Sequence, residues 1–340
     1  MVPPPADAPP SLVTGATGLV GSHVVERLLA DGGRVRALVR DEAAAGWLAR
    51  LGAELWVGDV LDAGSLARAA AGCAVIHHSA AAVGARGGGW EAYRRPNVDG
   101  TRAVVQAAER AAARVVHVSS IAVYGPRVRD ACPEDAAFAP LPAGAHYARS
   151  KREAEAELFE AHAAGRVWAT ALRPAVVYGR RDRHFVPRVA RVLRLGAVPL
   201  PGGGRTAFAV VHASSVADAA VRAATTAVAG GRAYNVGHDY DVTVADFFRL
   251  AAHGLGRRVH LMPVPLPVVR AGVATLRRAS ALIPGADREL LPRATVDFLT
   301  RGNPYLSDRA RRELGWTPSV RPQEGVPDAF EWWKDERPGG

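Results

Sequence analysis

The stretch Leu12–Leu29, LVTGATGLVGSHVVERLL, constrains the fold of this chain more than any other. Gly15, Gly18 and Gly21 follow an apolar run at Ser11–Thr14 and open an amphipathic pattern from about Leu19 to Ala30. Without side chains at such a turn, backbone N–H groups and the helix N-terminus can close around a pyrophosphate. In a chain with 35 glycines a triplet means little by itself. Its place between the first strand and the first helix is what gives it meaning.

Short apolar runs then alternate with Ala-rich helical stretches, the rhythm of an α/β chain. Strands are predicted at Ser11–Thr14, Val35–Val39, Glu54–Val57, Ala74–His77, Val115–Val118 and Val167–Leu172, with early helices at Leu19–Ala30 and Ala43–Leu51. Each crossover is long enough for a right-handed βαβ unit, so the expected fold is a Rossmann-type doubly wound parallel sheet. Residues 1–10 read as a disordered Pro-rich leader and residues 11–180 as the dinucleotide-binding domain, with further sheet elements near 206–236. Residues 181–335 read mostly as a smaller C-terminal substrate-binding lobe interleaved with the sheet domain. Helices at Val216–Val228, Thr243–Leu255 and Ser307–Leu314 are assigned to that lobe.

Composition narrows the function classes. At 340 residues and 49% hydrophobic, the chain can bury a full core. Its formal charge of +10 comes from arginines spread without a basic run, which argues against nucleic acid as a partner. The most apolar late stretch, Val264–Ile283, is interrupted by Arg270, Arg277 and Arg278, so no membrane span is expected. Cys73 and Cys132 make no disulfide framework and the N-terminus lacks a signal-peptide pattern, which points to a cytoplasmic protein. No metal is expected.

Lysine is almost absent. Of 43 basic residues only Lys151 and Lys334 are lysines, and Lys151 lies in HYARSK, four residues after Tyr147. A chain that uses Arg nearly everywhere else has kept one Lys beside a Tyr.

Eight motifs stand in order along nearly the whole chain: TGATGLVG (Thr14–Gly21), GDVLD (Gly58–Asp62), VIHHSAA (Val75–Ala81), NVDGT (Asn97–Thr101), HVSSIAVYG (His117–Gly125), YARSK (Tyr147–Lys151), LRPAVVYG (Leu172–Gly179) and RRELGWTP (Arg311–Pro318). In these the chain resembles the extended short-chain dehydrogenase/reductases, also called the NAD-dependent epimerase/dehydratase family. The resemblance implies a Ser120, Tyr147, Lys151 catalytic triad. Tyr147 and Lys151 would share one helix face a turn apart, where a compact ammonium can reach phenol and ribose together. A neighbouring ammonium and a cationic nicotinamide would favour the phenolate. Ser120 would bind the substrate oxygen as charge develops there, and Ser119 would be a structural hydroxyl near the cofactor.

The same resemblance places Gly15, Thr17, Gly18, Leu19, Val20 and Gly21 around the diphosphate. It puts Asp59 and Val60 at the adenine, and Ala80, Ala81, Ser119, Pro174 and Val177 along the rest of the dinucleotide. Arg40, at the end of the second strand, occupies the place that meets the adenosine ribose, which favours NADP(H) over NAD(H). Asp41 follows directly and is the other candidate for that contact. Ile121 and Ala122 stand where dehydratases of the family carry an acidic pair. Ala175 and Phe208 stand where sugar-nucleotide epimerases carry an Asn and an Arg, although Arg205 is close enough to restore that clamp in a shifted register. The pattern therefore lies closest to the branch of 3β-hydroxysteroid dehydrogenases and dihydroflavonol reductases, which interconvert a hydroxyl and a ketone on a hydrophobic ring-type small molecule. A nucleotide-sugar epimerase or dehydrogenase is the alternative. Two other classes, a silent NADP-sensing regulator and an RNA-binding Rossmann protein, are disfavoured by the retained triad. A homodimer through Trp90–Ala111 and Ala145–Ala164 is the expected assembly.

Overall fold

The computed structural model describes residues 8–84, 89–126, 131–237, 240, 242–280 and 293–336. In chain order the first elements are β1 (Ser11–Thr14), α1 (Leu19–Ala30), β2 (Val35–Val39), α2 (Glu42–Arg50), β3 (Glu54–Val57), α3 (Ala63–Ala70) and β4 (Val75–His78). The short α4 (Glu91–Tyr93) runs through a π-helical stretch, Arg94–Asp99, into α5 (Gly100–Ala111). Next come β5 (Arg114–Val118), α6 (His146–Ala163), β6 (Ala169–Pro174), β7 (Val176–Tyr178), α7 (Phe185–Leu193), β8 (Ala197–Pro201), β9 (Val210–His212), α8 (Ala213–Thr225) and β10 (Ala233–Val236). The chain ends with α9 (Val244–Gly254), β11 (His260–Val264), α10 (Leu266–Ser280), α11 (Arg293–Arg301), α12 (Asp308–Leu314) and α13 (Pro322–Asp335).

Seven strands form one sheet in the order β10-β6-β5-β4-β1-β2-β3, with every pairing parallel. Parallel strands are covered on both faces, which is why they read as continuous apolar runs. Leu12, Val13, Ile76, Val115, Val116, Ala171 and Leu172 are all fully buried. Ser11 pairs with Val35 on one side and Val75 on the other, so the strand order reverses at β1. The crevice beyond the C-terminal ends of β1 and β4 is the switch point at which doubly wound sheets bind ligands.

The chain divides into two compact units. The first comprises Met1–Val177, Val211–Asp239 and Tyr305–Val320. It holds the sheet, with α1 packed on α8 and Arg27 reaching Asp218 at 3.3 Å. Trp316 is fully buried and its indole donates to the Ser215 carbonyl at 2.8 Å, which ties the RRELGWTP motif to α8. The second unit comprises Tyr178–Val210, Tyr240–Pro304 and Arg321–Gly340. Phe185, Phe208, Phe247, Phe298 and Phe330 cluster in its interior. Thr243 and Asp246 form a capping box on α9, and a Cβ at Gly254 would lie 2.3 Å from the Pro327 carbonyl, so α9 and α13 approach closely.

Some expected boundaries shift for local reasons. The strand expected at Val167 starts at Ala169, because His162 Nδ1 engages the backbone there, accepting from Ala169 N–H at 3.2 Å. Helix α8 begins at Ala213 rather than Val216, since the His212 ring caps it by accepting from Ser214 N–H at 3.2 Å. Helices α8 and α12 belong to the first unit, not to the lobe in which the sequence placed them. Of the leader, residues 1–7 lie outside the described residues. Pro10 is already buried, its carbonyl accepting from Ala74 N–H at 3.1 Å. Among the described residues no helix is long and apolar enough to cross a membrane.

Candidate active site

The turn after β1 is built for a backbone ligand. Gly15 has φ +67°, and a Cβ there would lie 2.6 Å from the Ala80 nitrogen. A Cβ on Gly21 would lie 2.2 Å from the Gly15 carbonyl oxygen. Only glycine fits at either place, because both contacts are with backbone. Gly18 is the N-cap of α1, with no side chain capping it and no acidic residue in the first turn. The helix N-terminus therefore presents its N–H groups, with Thr17, Leu19 and Val20 along the turn, as an anion site at the switch point. Ser79 anchors β4 there by donating to the Thr14 carbonyl at 2.7 Å, leaving Ala80 and Ala81 small beside the turn. These features fit a dinucleotide diphosphate, which Gly15, Gly18, Gly21 and the first turn of α1 would hold.

The second strand ends at Arg40, which is exposed and makes no hydrogen bond or ion pair among the described residues. Asp41 is otherwise engaged. It is the N-cap of α2 and accepts from Ala44 N–H at 3.1 Å. Asp59, at the end of β3, accepts from Leu61 N–H at 2.9 Å, and Val60 beside it packs toward Gly100. Pro174 ends β6 and is buried, and Val177 lies half-buried in β7.

Ser120, Tyr147 and Lys151 meet where the end of β5 faces the start of α6. Ser120 N-caps the 3₁₀ turn Ile121–Tyr124, accepting from Ala122 N–H at 3.1 Å, and its hydroxyl is close enough to Tyr147 to favour the phenolate. Lys151 lies one turn further along α6, 2% exposed, donating through Nζ to the Val118 carbonyl at 2.8 Å. Burial pulls its ammonium down to about 8, against the opposing pull of Glu155. Burial also raises the Tyr147 phenol above its ordinary value. Without a cofactor, desolvation is the larger influence on the phenol and the Ser120 hydroxyl the smaller, opposing one. Ser119 departs from the structural hydroxyl expected there. It is 3% exposed, its Oγ has no hydrogen-bond partner among the described residues, and only its backbone N–H is engaged, with the Leu172 carbonyl at 2.7 Å.

Two further residues of the motifs NVDGT and VIHHSAA, Asn97 and His78, have structural work that their spacing does not announce. Asn97 accepts from Ala82 N–H at 2.7 Å and donates to Ser150 Oγ at 2.8 Å, and Ser150 in turn donates to the Tyr147 carbonyl at 2.8 Å. The loop after β4 is thereby tied to the turn that carries the phenol. His78 spans Thr14 Oγ1 at 2.8 Å and Thr101 Oγ1 at 3.1 Å, joining β1 to α5, and burial lowers it to about 3, so the bridge is neutral.

A family model described as the NAD dependent epimerase/dehydratase family matches residues 11–237. The chain belongs to that family. It is an NAD(P)-dependent short-chain dehydrogenase/reductase of the extended type. Among curated proteins, this dehydrogenase/reductase is 33% identical over 322 residues to a 4-hydroxy-2-methyl-3-oxo-4-farnesyl-3,4-dihydroquinoline-1-oxide ketoreductase of Stigmatella aurantiaca, covering 93% of this chain and 94% of that one. It is 30% identical over 340 residues to sterol demethylase protein B of Methylococcus capsulatus, covering 96% and 98%. Among solved structures, MoeE5 in complex with UDP-glucose and NAD superposes with a TM-score of 0.73 at 25% identity, covering 96% of this chain and 99% of that one.

Proposed function

We propose that this enzyme interconverts a ketone and a hydroxyl on a hydrophobic ring-type small molecule, using Ser120, Tyr147 and Lys151 and favouring NADP(H) over NAD(H). The observation that carries the reading is the buried Lys151 ammonium, held by the Val118 carbonyl at 2.8 Å, one turn of α6 from Tyr147 and beside the turn that Ser120 caps. A protonated phenol can deliver its proton to an oxygen that gains negative charge, and the Ser120 hydroxyl can donate to the same oxygen. A bound nicotinamide would supply the hydride to the carbonyl carbon. Lys151, poised near 8, can pass a proton toward the phenol at neutral pH. In the reverse direction the same groups take the proton from an alcohol.

The relatives support a hydrophobic substrate, since one is named a ketoreductase of a farnesylated quinoline and another a sterol demethylase protein. Within the chain, Phe208 is 1% exposed in a ring cluster and Ala175 is 4% exposed, so neither offers a polar contact to a sugar diphosphate. MoeE5, seen with UDP-glucose, keeps the nucleotide-sugar reading as the alternative, and Arg205, which is exposed, is the residue that would serve it. A homodimer along α5 and α6 is carried with the proposal.

The test is NADPH and NADH oxidation by purified protein against hydrophobic cyclic ketones, with NAD-dependent conversion of UDP-sugars run in parallel. Reduction of the ketones, stronger with NADPH, is expected. Turnover of UDP-sugars alone would overturn the reading.

A further inference from the structure

Beside the Tyr147 phenol stand three aromatic side chains to which the reaction as described gives no part. Tyr93 lies edge-on to Tyr147, ring centroids 6.4 Å apart at 61°. His146 lies 6.3 Å from Tyr93 and 6.2 Å from Trp90. Arg149 lies over the Trp90 ring at 3.9 Å and is itself held by Glu153 at 2.7 Å. Trp90, Tyr93 and His146 are each only half-buried, and none of their side chains makes a hydrogen bond among the described residues. Aromatic side chains with polar tips usually find a partner when they serve the core alone.

The backbone holds this group firmly. Tyr93 is the last residue before the π-helical stretch Arg94–Asp99, a rare geometry that recurs at functional sites. Arg94 clamps that stretch between Glu91 and Asp99, at 2.8 and 2.7 Å. Asn97, inside it, reaches Ser150 on α6, and Ser150 reaches the Tyr147 carbonyl. The position of Tyr93 relative to the reacting phenol is therefore set by a chain of hydrogen bonds rather than by a free loop.

We infer that Trp90, Tyr93 and His146 form an aromatic subsite beside Tyr147 that receives a flat, conjugated ring next to the ketone being reduced. A planar ring meets offset or edge-on partners well, and an acyclic chain gains much less from them. The subsite thus selects aryl or cyclic conjugated ketones over flexible aliphatic ones. The inference rests on the ketoreductase reading and narrows its substrate class.

The test is isothermal titration of 2-naphthol, which carries a flat ring and a hydroxyl but no reducible ketone, into the dinucleotide-loaded protein and its Tyr93→Leu, Trp90→Leu and Tyr93→Phe variants. The parent should bind it, the two Leu variants should bind at least about tenfold more weakly, and Tyr93→Phe should stay close to the parent, because the ring is kept. In steady-state assays the ratio of kcat/KM for an aryl ketone over an aliphatic ketone should fall by a similar factor in the Leu variants, mostly through KM. Equal naphthol affinity in parent and Leu variants overturns the inference, as does a parent that does not bind. A change of oligomeric state in the Leu variants by light scattering, with naphthol affinity unchanged, overturns it too and makes the group an interface between copies. Tyr93-dependent naphthol binding in a protein that reduces no ketone supports the subsite and refutes the ketoreductase reading, so the two fail separately.

Discussion

Ser120 and Tyr147 bring their hydroxyls together where β5 meets α6, and Ser120 Oγ accepts from Ala122 N–H at 3.1 Å. The Ser120 hydroxyl is thus oriented from behind by backbone, beside the phenol. Tyr147→Phe removes one oxygen and leaves the ring contact with Tyr93 in place. Turnover should fall by about a hundredfold or more, the usual worth of a positioned acid or base. Melting temperature and dinucleotide affinity should stay near the parent values. Activity within a few-fold of the parent, in a variant that still binds dinucleotide, would remove Tyr147 from the mechanism.

Lys151 gives a prediction whose sign follows from its burial. The folded chain holds this amine at about 8, whereas its ordinary value is 10.5. Between those values the unfolded chain binds a proton that the folded chain has released, so the buried amine adds stability as pH rises through the window and costs stability below it. Lys151→Met has no amine to titrate. Urea unfolding at steps from pH 7 to 10.5 should show the parent gaining on the variant, on the order of 3 kcal/mol across the window. A pH-independent gap would mean that the folded protein does not depress this amine.

Much of this was legible in the chain because parallel strands covered on both faces leave long apolar runs, and because a four-residue spacing puts Tyr147 and Lys151 on one side of a helix. The tight turn was legible too, since Gly15 and Gly21 stand where a Cβ would strike backbone. Other features depend on contacts far apart in sequence. The periodicity of α8 reveals an apolar face but not that the face covers the sheet beside α1. Asn97 and Ser150 are 53 residues apart, and nothing local announces their bond. The upward push on the Tyr147 phenol comes from desolvation, which spacing cannot report.

The two kinds of glycine should respond oppositely to alanine. At Gly21 a Cβ would meet the Gly15 carbonyl oxygen at 2.2 Å, and backbone cannot step aside cheaply. Gly21→Ala should cost about 1–3 kcal/mol and weaken dinucleotide binding by distorting the turn. Gly46 lies inside α2, where the nearest atom to a Cβ is the Arg50 guanidinium at 3.9 Å. Gly46→Ala should instead stabilise by about 0.5–1 kcal/mol, because alanine loses less backbone entropy in a helix. Thermal unfolding of the pair checks both signs. Similar shifts in the two variants would contradict the close packing at the turn.

Arg40 and Asp41 separate the two cofactors. Asp41 is occupied as the cap of α2, so the exposed guanidinium of Arg40 is the group left at the end of β2 to meet the adenosine ribose. If it pairs with a 2′-phosphate, Arg40→Asp replaces charge-assisted hydrogen bonds with repulsion. Each such bond contributes about 1.5–3 kcal/mol, so losing one weakens NADPH by roughly ten- to a hundredfold, and losing two by more. NADH should hold or improve, because the new carboxylate can accept from the 2′-hydroxyl. Preference between the cofactors should therefore invert. Both must be titrated against parent and variant at one ionic strength, since salt screens a partly exposed phosphate contact. Asp41→Ala serves as the control: it removes the cap and should destabilise α2 by about 1 kcal/mol, leaving the ratio of NADPH to NADH affinity unmoved. A parent that already prefers NADH, or an Arg40→Asp variant that keeps its NADPH affinity, would take Arg40 out of cofactor selection.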